Sequence, residues 1–408
     1  MKVCVFGLWH LGTVTAACLA SIGHEVAGLD DSETVIEKLN RGEPPLYEPG
    51  LPELVRSGMD AGRLRFTTDR RAALAGARVV WITFDTPVDD NDRADVGFVM
   101  SRAESLLKHV AATTLVIVSS QLPVGSVKRL EAKRPGVKFV CSPENLRLGK
   151  AIDAFLKPDR IVVGTRSDDT KPVVNELLGP IKAPIEWMSI ESAEMTKHAL
   201  NAFLATSIAF INEIATVCEA VGADATEVAR GLKSDPRIGQ RSYLSPGGPF
   251  AGGTLARDIE FLREHGDLPL ISSVKTSNDR HKNWTRTKLT SVLGTLEGKR
   301  IAIWGLTYKP GTDTLRRSMS VELCRWLVTQ GAQVRAHDPA VKTLPADLDV
   351  MVCNSPKAAA DGANALVIGT EWPDYRGVEI PAGMIVIDPN GFLGARPGIR
   401  YYSVGKST

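Results

Sequence analysis

Gly7, Gly12 and Asp30 have the types and spacing to hold a dinucleotide. The turn Gly7-Leu8-Trp9-His10-Leu11-Gly12 follows the strand-like run KVCVF and precedes a helical stretch, and Asp30 closes the next apolar run, 18 residues past Gly12. In a nucleotide-binding βα turn the first glycine makes the tight turn and the last lets helix and strand approach, while the acidic residue bonds the adenosine ribose hydroxyls. The middle position, where a glycine lets the backbone approach the pyrophosphate, is Trp9. Its side chain must point away from the phosphates or push them outward. Asp31, beside Asp30, adds a second charge that would repel a 2′-phosphate, so NAD is expected in preference to NADP.

Such a turn works only at the edge of a parallel sheet, and the chain supplies one. Short Val/Ile-rich runs at VCVFG, EVAGLD, ARVVWITF, TTLVIVSS, KFVCSP and RIVVG alternate with amphipathic stretches over the first ~180 residues. This is the pattern of parallel strands covered by helices on both faces. From Ser189 the rhythm changes to IESAEMTKHALNAFLATSIAFINEIATVCEAVG, with no Pro and its only Gly at Gly222. A helix of that length would run roughly 45 to 50 Å at 1.5 Å per residue, and it is too apolar around its circumference to be a solvated spacer. From Lys299 the α/β rhythm restarts with RIAIWG, QVRAHDP, ALVIGTEW and MIVIDP. The expected fold is therefore α/β, two Rossmann-like doubly wound parallel-sheet domains joined by a long central helix. The boundaries are 1–188 for the dinucleotide domain, 189–296 for a central helical segment and 297–408 for the second Rossmann-like domain.

Composition excludes several other classes. At 408 residues the chain can bury full cores in two or three domains. Lys plus Arg (49) against Asp plus Glu (47) leaves a net charge of +2, no footprint for nucleic acid or anionic membrane. No apolar run is expected to approach the ~20 residues of a membrane span and the first residues lack the pattern of a leader, so a cytoplasmic location is expected. The six cysteines form no CxxC pair and sit in apolar patterns, which reads as buried reduced thiols. No metal site is expected.

Longer segments resemble the UDP-glucose/GDP-mannose dehydrogenase family nearly end to end. They are LYEPGLPEL, the A-D-V stretch Ala94 to Val96, SPENLRLGKAIDAFLKPDRIVVG, AEMTKHALNAFLATSIAFINEIA, DPRIG, GLTYKPGTDTLRRS and ALVIGTEW. The resemblance implies an NAD-dependent enzyme that oxidises a nucleotide-sugar primary alcohol to a carboxylate in two hydride transfers. It also implies a homodimer packed along the central helix. Carried over position by position, Lys197 and Asn201 match the helix pair that holds the reacting oxygen, and at i, i+4 they share one helix face. Glu144 matches the acid/base carboxylate, and Asp258 the aspartate that orients water or the base. Asn145, Leu146 and Arg147 continue the substrate segment, with Tyr243 and Gly252 on the loop before Asp258. Arg237 resembles the arginine that reaches the neighbouring subunit's sugar nucleotide, and Lys309 and Arg316 the second domain's contacts to the nucleotide. Gly7, Trp9, His10, Leu11, Gly12, Asp30, Thr86 and Gln121 form the implied cofactor set.

The departures concentrate on the second oxidation. The family nucleophile lies in G-F-G-G-S-C-x-P-K-D, and here the run is Pro249-Phe250-Ala251-Gly252-Gly253-Thr254-Leu255-Ala256-Arg257-Asp258, so Thr254 stands at the cysteine. The family S-T-V-P-V-G reads Ser120-Gln121-Leu122-Pro123-Val124-Gly125, the Phe after the family Glu is Asn145, and Leu148 and Arg257 replace a Glu and a Lys. A thiol near pKa 8.5 carries some thiolate at neutral pH and can form the thiohemiacetal that leads to a thioester. A Thr hydroxyl is far less acidic, and no adjacent base motif activates it. Three readings remain open at this point. The first is an oxidoreductase that stops at the aldehyde or oxidises its hydrate without a thioester. The second is a redox-neutral epimerase or dehydratase on the same scaffold, and the third a non-catalytic nucleotide-sugar binder.

Overall fold

The computed structural model describes residues 1–89, 93–250 and 253–407, and the chain divides into two compact units, 1–199 and 200–408. In the first unit the strands are β1 (Lys2–Phe6), β2 (Glu25–Leu29), β3 (Leu64–Thr67), β4 (Val79–Ile82), β5 (Leu115–Val118), β6 (Lys138–Cys141), β7 (Ile161–Thr165) and β8 (Ile185–Met188). They form one sheet in the order β3-β2-β1-β4-β5-β6-β7-β8. Alternate residues of these strands enter two separate cores. Val3, Val5, Val79 and Trp81 pack with the helix His10–Ser21 on one face, whereas Cys4, Phe6, Val80 and Ile82 pack with the helix Val96–Leu107 on the other. That is why the strands read as unbroken apolar runs.

Two expectations need correction. The run RIVVG does not continue the parallel set: β7 pairs antiparallel with β6 through Val140↔Thr165 and Cys141↔Gly164, while β8 pairs parallel with β7. A strand buried on both faces has the same composition whichever way it points, so the residues carry no direction signal. The statement about apolar runs also fails for the helix Ile190–Val221, which by length and composition is long and apolar enough to cross a membrane, with 39% of its most apolar stretch buried. Its polar residues interrupt the apolar ones at short intervals, so no contiguous run reveals it. Several of them are committed within the protein. Glu194 accepts the Gly125 and Val127 amides, and Glu219 accepts Trp284 Nε1 and the Gly405 amide.

In the second unit β9 (Arg300–Trp304), β10 (Gln333–His337), β11 (Met351–Val352), β12 (Ala365–Ile368), β13 (Ile385–Ile387) and β14 (Arg400–Tyr402) form an all-parallel sheet in the order β11-β10-β9-β12-β13-β14. Cores again lie on both faces. The local design of the first unit is repeated. Asp30 follows β2 and its Oδ2 accepts the Leu8 amide at 2.7 Å, and Asp338 follows β10 and accepts the Leu306 amide at 2.7 Å. In each case an aspartate at the end of the second strand fixes the turn after the first.

Candidate active site

The dinucleotide turn is built as its glycines require. Gly7 has φ +97°, and a Cβ there would meet the Phe84 ring at 2.8 Å. A Cβ at Gly12 would lie 1.8 Å from the Gly7 carbonyl oxygen, so the helix can approach the strand end only with glycine at that point. Asp30 Oδ1 accepts the Ser32 amide at 2.9 Å, which orients the carboxylate. These residues fit a dinucleotide, with Asp30 placed for the ribose hydroxyls. Trp9 caps the helix His10–Ser21 at φ −77°, a conformation open to any residue, and stays 49% exposed. The tryptophan is therefore tolerated without backbone strain. His10 faces inward, its Nε2 2.9 Å from Glu48 Oε2. Asp31 is paired with Arg70 at 2.8 Å, which leaves Asp30 to carry the discrimination against a 2′-phosphate.

Glu48 is a residue that sequence reasoning did not single out. It is 1% exposed, and besides His10 it accepts the amides of Gly149 at 2.7 Å and Ala151 at 2.8 Å. One carboxylate thus ties the cofactor turn to the end of the segment carrying Glu144 to Arg147. The Y-E-P-G context quoted above held this residue, but its partners lie about a hundred positions away, beyond any local pattern.

Lys197 is buried, and its ammonium points into the loop after β6. Nζ donates to the Glu144 carbonyl oxygen at 2.5 Å and to Asn145 Oδ1 at 3.4 Å, and it lies 3.5 Å from Glu144 Oε1. Glu144 Oε2 in turn accepts the Leu146 amide at 2.5 Å, while Arg147 is exposed. A cleft in this unit is lined by Ser120, Gln121, Glu144, Glu194, Lys197 and His198. Thr86 Oγ1 donates to the Gln121 carbonyl at 2.6 Å, and His198 Nε2 lies 2.9 Å from the Leu122 carbonyl, so the strand end after β5 is fixed from both sides. Ser120 Oγ is buried there without a hydrogen-bond partner among the described residues. Burial pushes the Glu194 carboxyl above its ordinary value, opposed by the Val127 and Gly125 amides it accepts.

In the second unit Asn201, one helical turn beyond Lys197 on the same helix, donates from Nδ2 to Oδ2 of the fully buried Asp258. Thr254 opens the helix Thr254–Arg263 and is exposed. The preceding Gly-rich loop is held by side chains. Asn212 accepts the Gly247 amide at 3.0 Å, His281 Nε2 lies 2.7 Å from the Gly247 carbonyl, and Asn278 accepts the Phe250 amide and donates to its carbonyl, both at 2.9 Å. Burial lowers the His281 pKa, against that carbonyl's opposing pull. Gly252 lies outside the described residues. Arg237 is bound by both oxygens of Asp235, and Tyr243 is exposed. Lys309 and Arg316 sit on the segment after β9, half-buried and exposed respectively. Their neighbour Arg317, which the sequence reading passed over, has φ +58°, and its Cδ lies 3.6 Å from where a Cβ on Gly253 would be. That left-handed backbone brings the second domain's arginine to the loop of Thr254.

A parallel sheet with this turn and a terminal aspartate, followed by a second such sheet, defines a Rossmann-type dinucleotide-dependent oxidoreductase. Models of the UDP-glucose/GDP-mannose dehydrogenase NAD binding domain, central domain and UDP binding domain match residues 1–182, 191–280 and 302–394. The chain belongs to the UDP-glucose/GDP-mannose dehydrogenase family, and its cofactor is NAD. It is 36% identical to a UDP-glucose 6-dehydrogenase of Pseudomonas aeruginosa, over 92% of this chain and 89% of that protein. It is 34% identical to UDP-glucose 6-dehydrogenase YwqF of Bacillus subtilis, over 100% and 98%. Among solved structures it is similar to a UDP-glucose dehydrogenase from Pyrobaculum islandicum, with TM-score 0.91 and 30% identity over 100% of this chain and 98% of that one.

Proposed function

We propose that the protein is an NAD-dependent oxidoreductase acting on C6 of a UDP-hexose, with Thr254 in place of the thioester-forming cysteine, so that the reaction stops at the aldehyde or passes through its hydrate. The observation that carries this reading is that the groups for one proton transfer and one oxyanion are held in place, while the nucleophile's position holds an exposed hydroxyl. NAD, when bound, supplies the hydride acceptor. Glu144 accepts the proton of the sugar's primary hydroxyl, and Lys197 and Asn201 donate to the oxygen as negative charge develops there. Asp258, fixed by Asn201, orients water or the base. The Lys197 ammonium is held by the Glu144 carbonyl and Asn145 Oδ1. Among the described residues no base is hydrogen-bonded to the Thr254 hydroxyl, and His281 Nε2 is committed to the Gly247 carbonyl.

The division of labour in this reading is that residues 1–188 bind NAD, 189–296 join the subunits and 297–408 bind the nucleotide. The UDP binding domain match supports the last of these. Phe203, Phe210 and Val217 are exposed at seven-residue intervals along the central helix, with Val221 beyond them. A row of apolar residues at that spacing supports a helix face covered by a second copy of the chain. Arg237 then serves the partner's sugar site.

The test is the stoichiometry of NADH formed per UDP-glucose consumed. One equivalent with aldehyde product supports the stop at the aldehyde, two equivalents without a covalent intermediate support the hydrate route, and neither NADH nor turnover would leave a non-catalytic binder. Turnover without net NADH would replace this reading with redox-neutral chemistry. Thr254→Ala should leave turnover largely intact, and Thr254→Cys should raise the yield to two equivalents with acid product or a trapped thioester.

A further inference from the structure

We propose that Asp85 sets the affinity of the cofactor site: its carboxylate holds the helix N-terminus that the NAD diphosphate needs, competes with the diphosphate and keeps NAD dissociable. Asp85 stands three residues past β4, and β4 lies beside β1 in the sheet. The helix after β1 packs on one face and the helix after β4 on the other. The strand order therefore reverses between these two strands, and the crevice at their carboxyl ends is where a dinucleotide lies in such a sheet. An anion bound there is held by free amides in the first turn of the helix.

In this chain that turn is already occupied by its own acids. The Leu8 amide donates to Asp30 at 2.7 Å, and the Leu11 amide donates to Asp85 Oδ2 at 3.4 Å. Asp85 is exposed, and its bond to the Leu11 amide is long. The diphosphate must displace it or lie beside it at a cost in like-charge repulsion. Trp9, also in this turn, leaves the backbone no glycine through which to approach the phosphates more closely. The consequence is a weaker but exchangeable cofactor, as suits an enzyme that releases NADH on each turnover and not one that keeps a resident NAD.

The experiment titrates NAD, ADP and adenosine into the wild-type chain, Asp85→Asn and Asp85→Ala by calorimetry without sugar, so its outcome does not depend on the substrate reading. Both variants should bind ADP and NAD about 5-fold to 10-fold more tightly, with adenosine unchanged and the gap narrowing from 0.05 to 0.5 M salt. Unchanged ADP affinity in both variants would overturn the proposal. So would weaker ADP binding, which would mean that Asp85 serves the diphosphate, for instance by sharing a divalent cation with it. An equal gain for adenosine would also overturn it, since the effect would then not act on the phosphates.

Discussion

Asn201 Nδ2 and Asp258 Oδ2 are directly hydrogen-bonded, so the central helix and the helix of Thr254 meet through two side chains and not through backbone alone. Asp258 is fully buried, so its oxygens need hydrogen-bond donors from within the protein. Asp258→Asn should lower kcat by about 100-fold or more with a small effect on the NAD Kd, the scale expected for losing one preorganised polar group of the reaction centre. Steady-state kinetics with calorimetric NAD titration checks this. A loss confined to stability, with kcat intact, would remove Asp258 from the chemistry.

Lys197→Ala should cost about 100-fold in kcat, the usual scale for losing one oxyanion donor. Asn145→Ala removes a longer contact to the same ammonium and should cost less. If Asn145→Ala proves as damaging as Lys197→Ala, the carboxamide touches the sugar and does not act through the lysine.

With Asp31 paired to Arg70, discrimination against NADP rests on Asp30. The wild-type chain should bind NAD more tightly than NADP, and Asp31→Asn should leave the ratio nearly unchanged. Asp30→Asn should narrow it. Equal affinity of the wild-type chain for both cofactors would contradict the assignment.

Glu48→Gln leaves a single good acceptor oxygen for three donors, His10 Nε2 and the amides of Gly149 and Ala151. Leaving one buried amide unsatisfied costs about 1–3 kcal/mol. Hydrogen exchange at Gly149 and Ala151 should quicken by about tenfold, and the KM for the sugar nucleotide should rise more than that for NAD. Unchanged exchange at those amides would show that another acceptor holds the loop.

Burial lowers the pKa of His281, and likewise of His24 and His337, below 6.5 in the folded chain. As pH falls, the unfolded chain takes up these protons before the folded one does, so stability is lost as pH drops below about 6.5 and is full above it. Thermal midpoints should therefore fall between pH 7.5 and 5.5, and less steeply in His281→Gln. A midpoint independent of pH over that range would refute the assignment.

The strands and the long helix were legible because each rests on local periodicity: Val/Ile runs between turns, and thirty residues without a breaker. The reversal of β7 was not, since two-sided burial has no direction. At the site, the Gly7, Gly12 and Asp30 device could be read from spacing alone, whereas Lys197 and Asn201 became visible through family resemblance. Glu48, Asp85 and Arg317 escaped because each acts on backbone that folding brings from a distant part of the sequence. Ordinary surface charges have the same local pattern.

Asp338 occupies in its sheet the position that Asp30 occupies in the first, but its Oδ2 has no acceptor capacity to spare. That oxygen takes the amides of Leu306 and Thr307, the Thr307 hydroxyl and the Trp372 indole N–H, four donors against roughly two lone-pair directions, while Oδ1 accepts the Ala340 amide. One oxygen of the second sheet's aspartate is thus taken by the chain itself, which argues that doubling the scaffold did not double the redox capacity. A saturated protomer should hold one equivalent of NAD, and inhibitors built on adenosine should find one socket per chain, leaving the other sheet to be addressed by uridine chemistry alone.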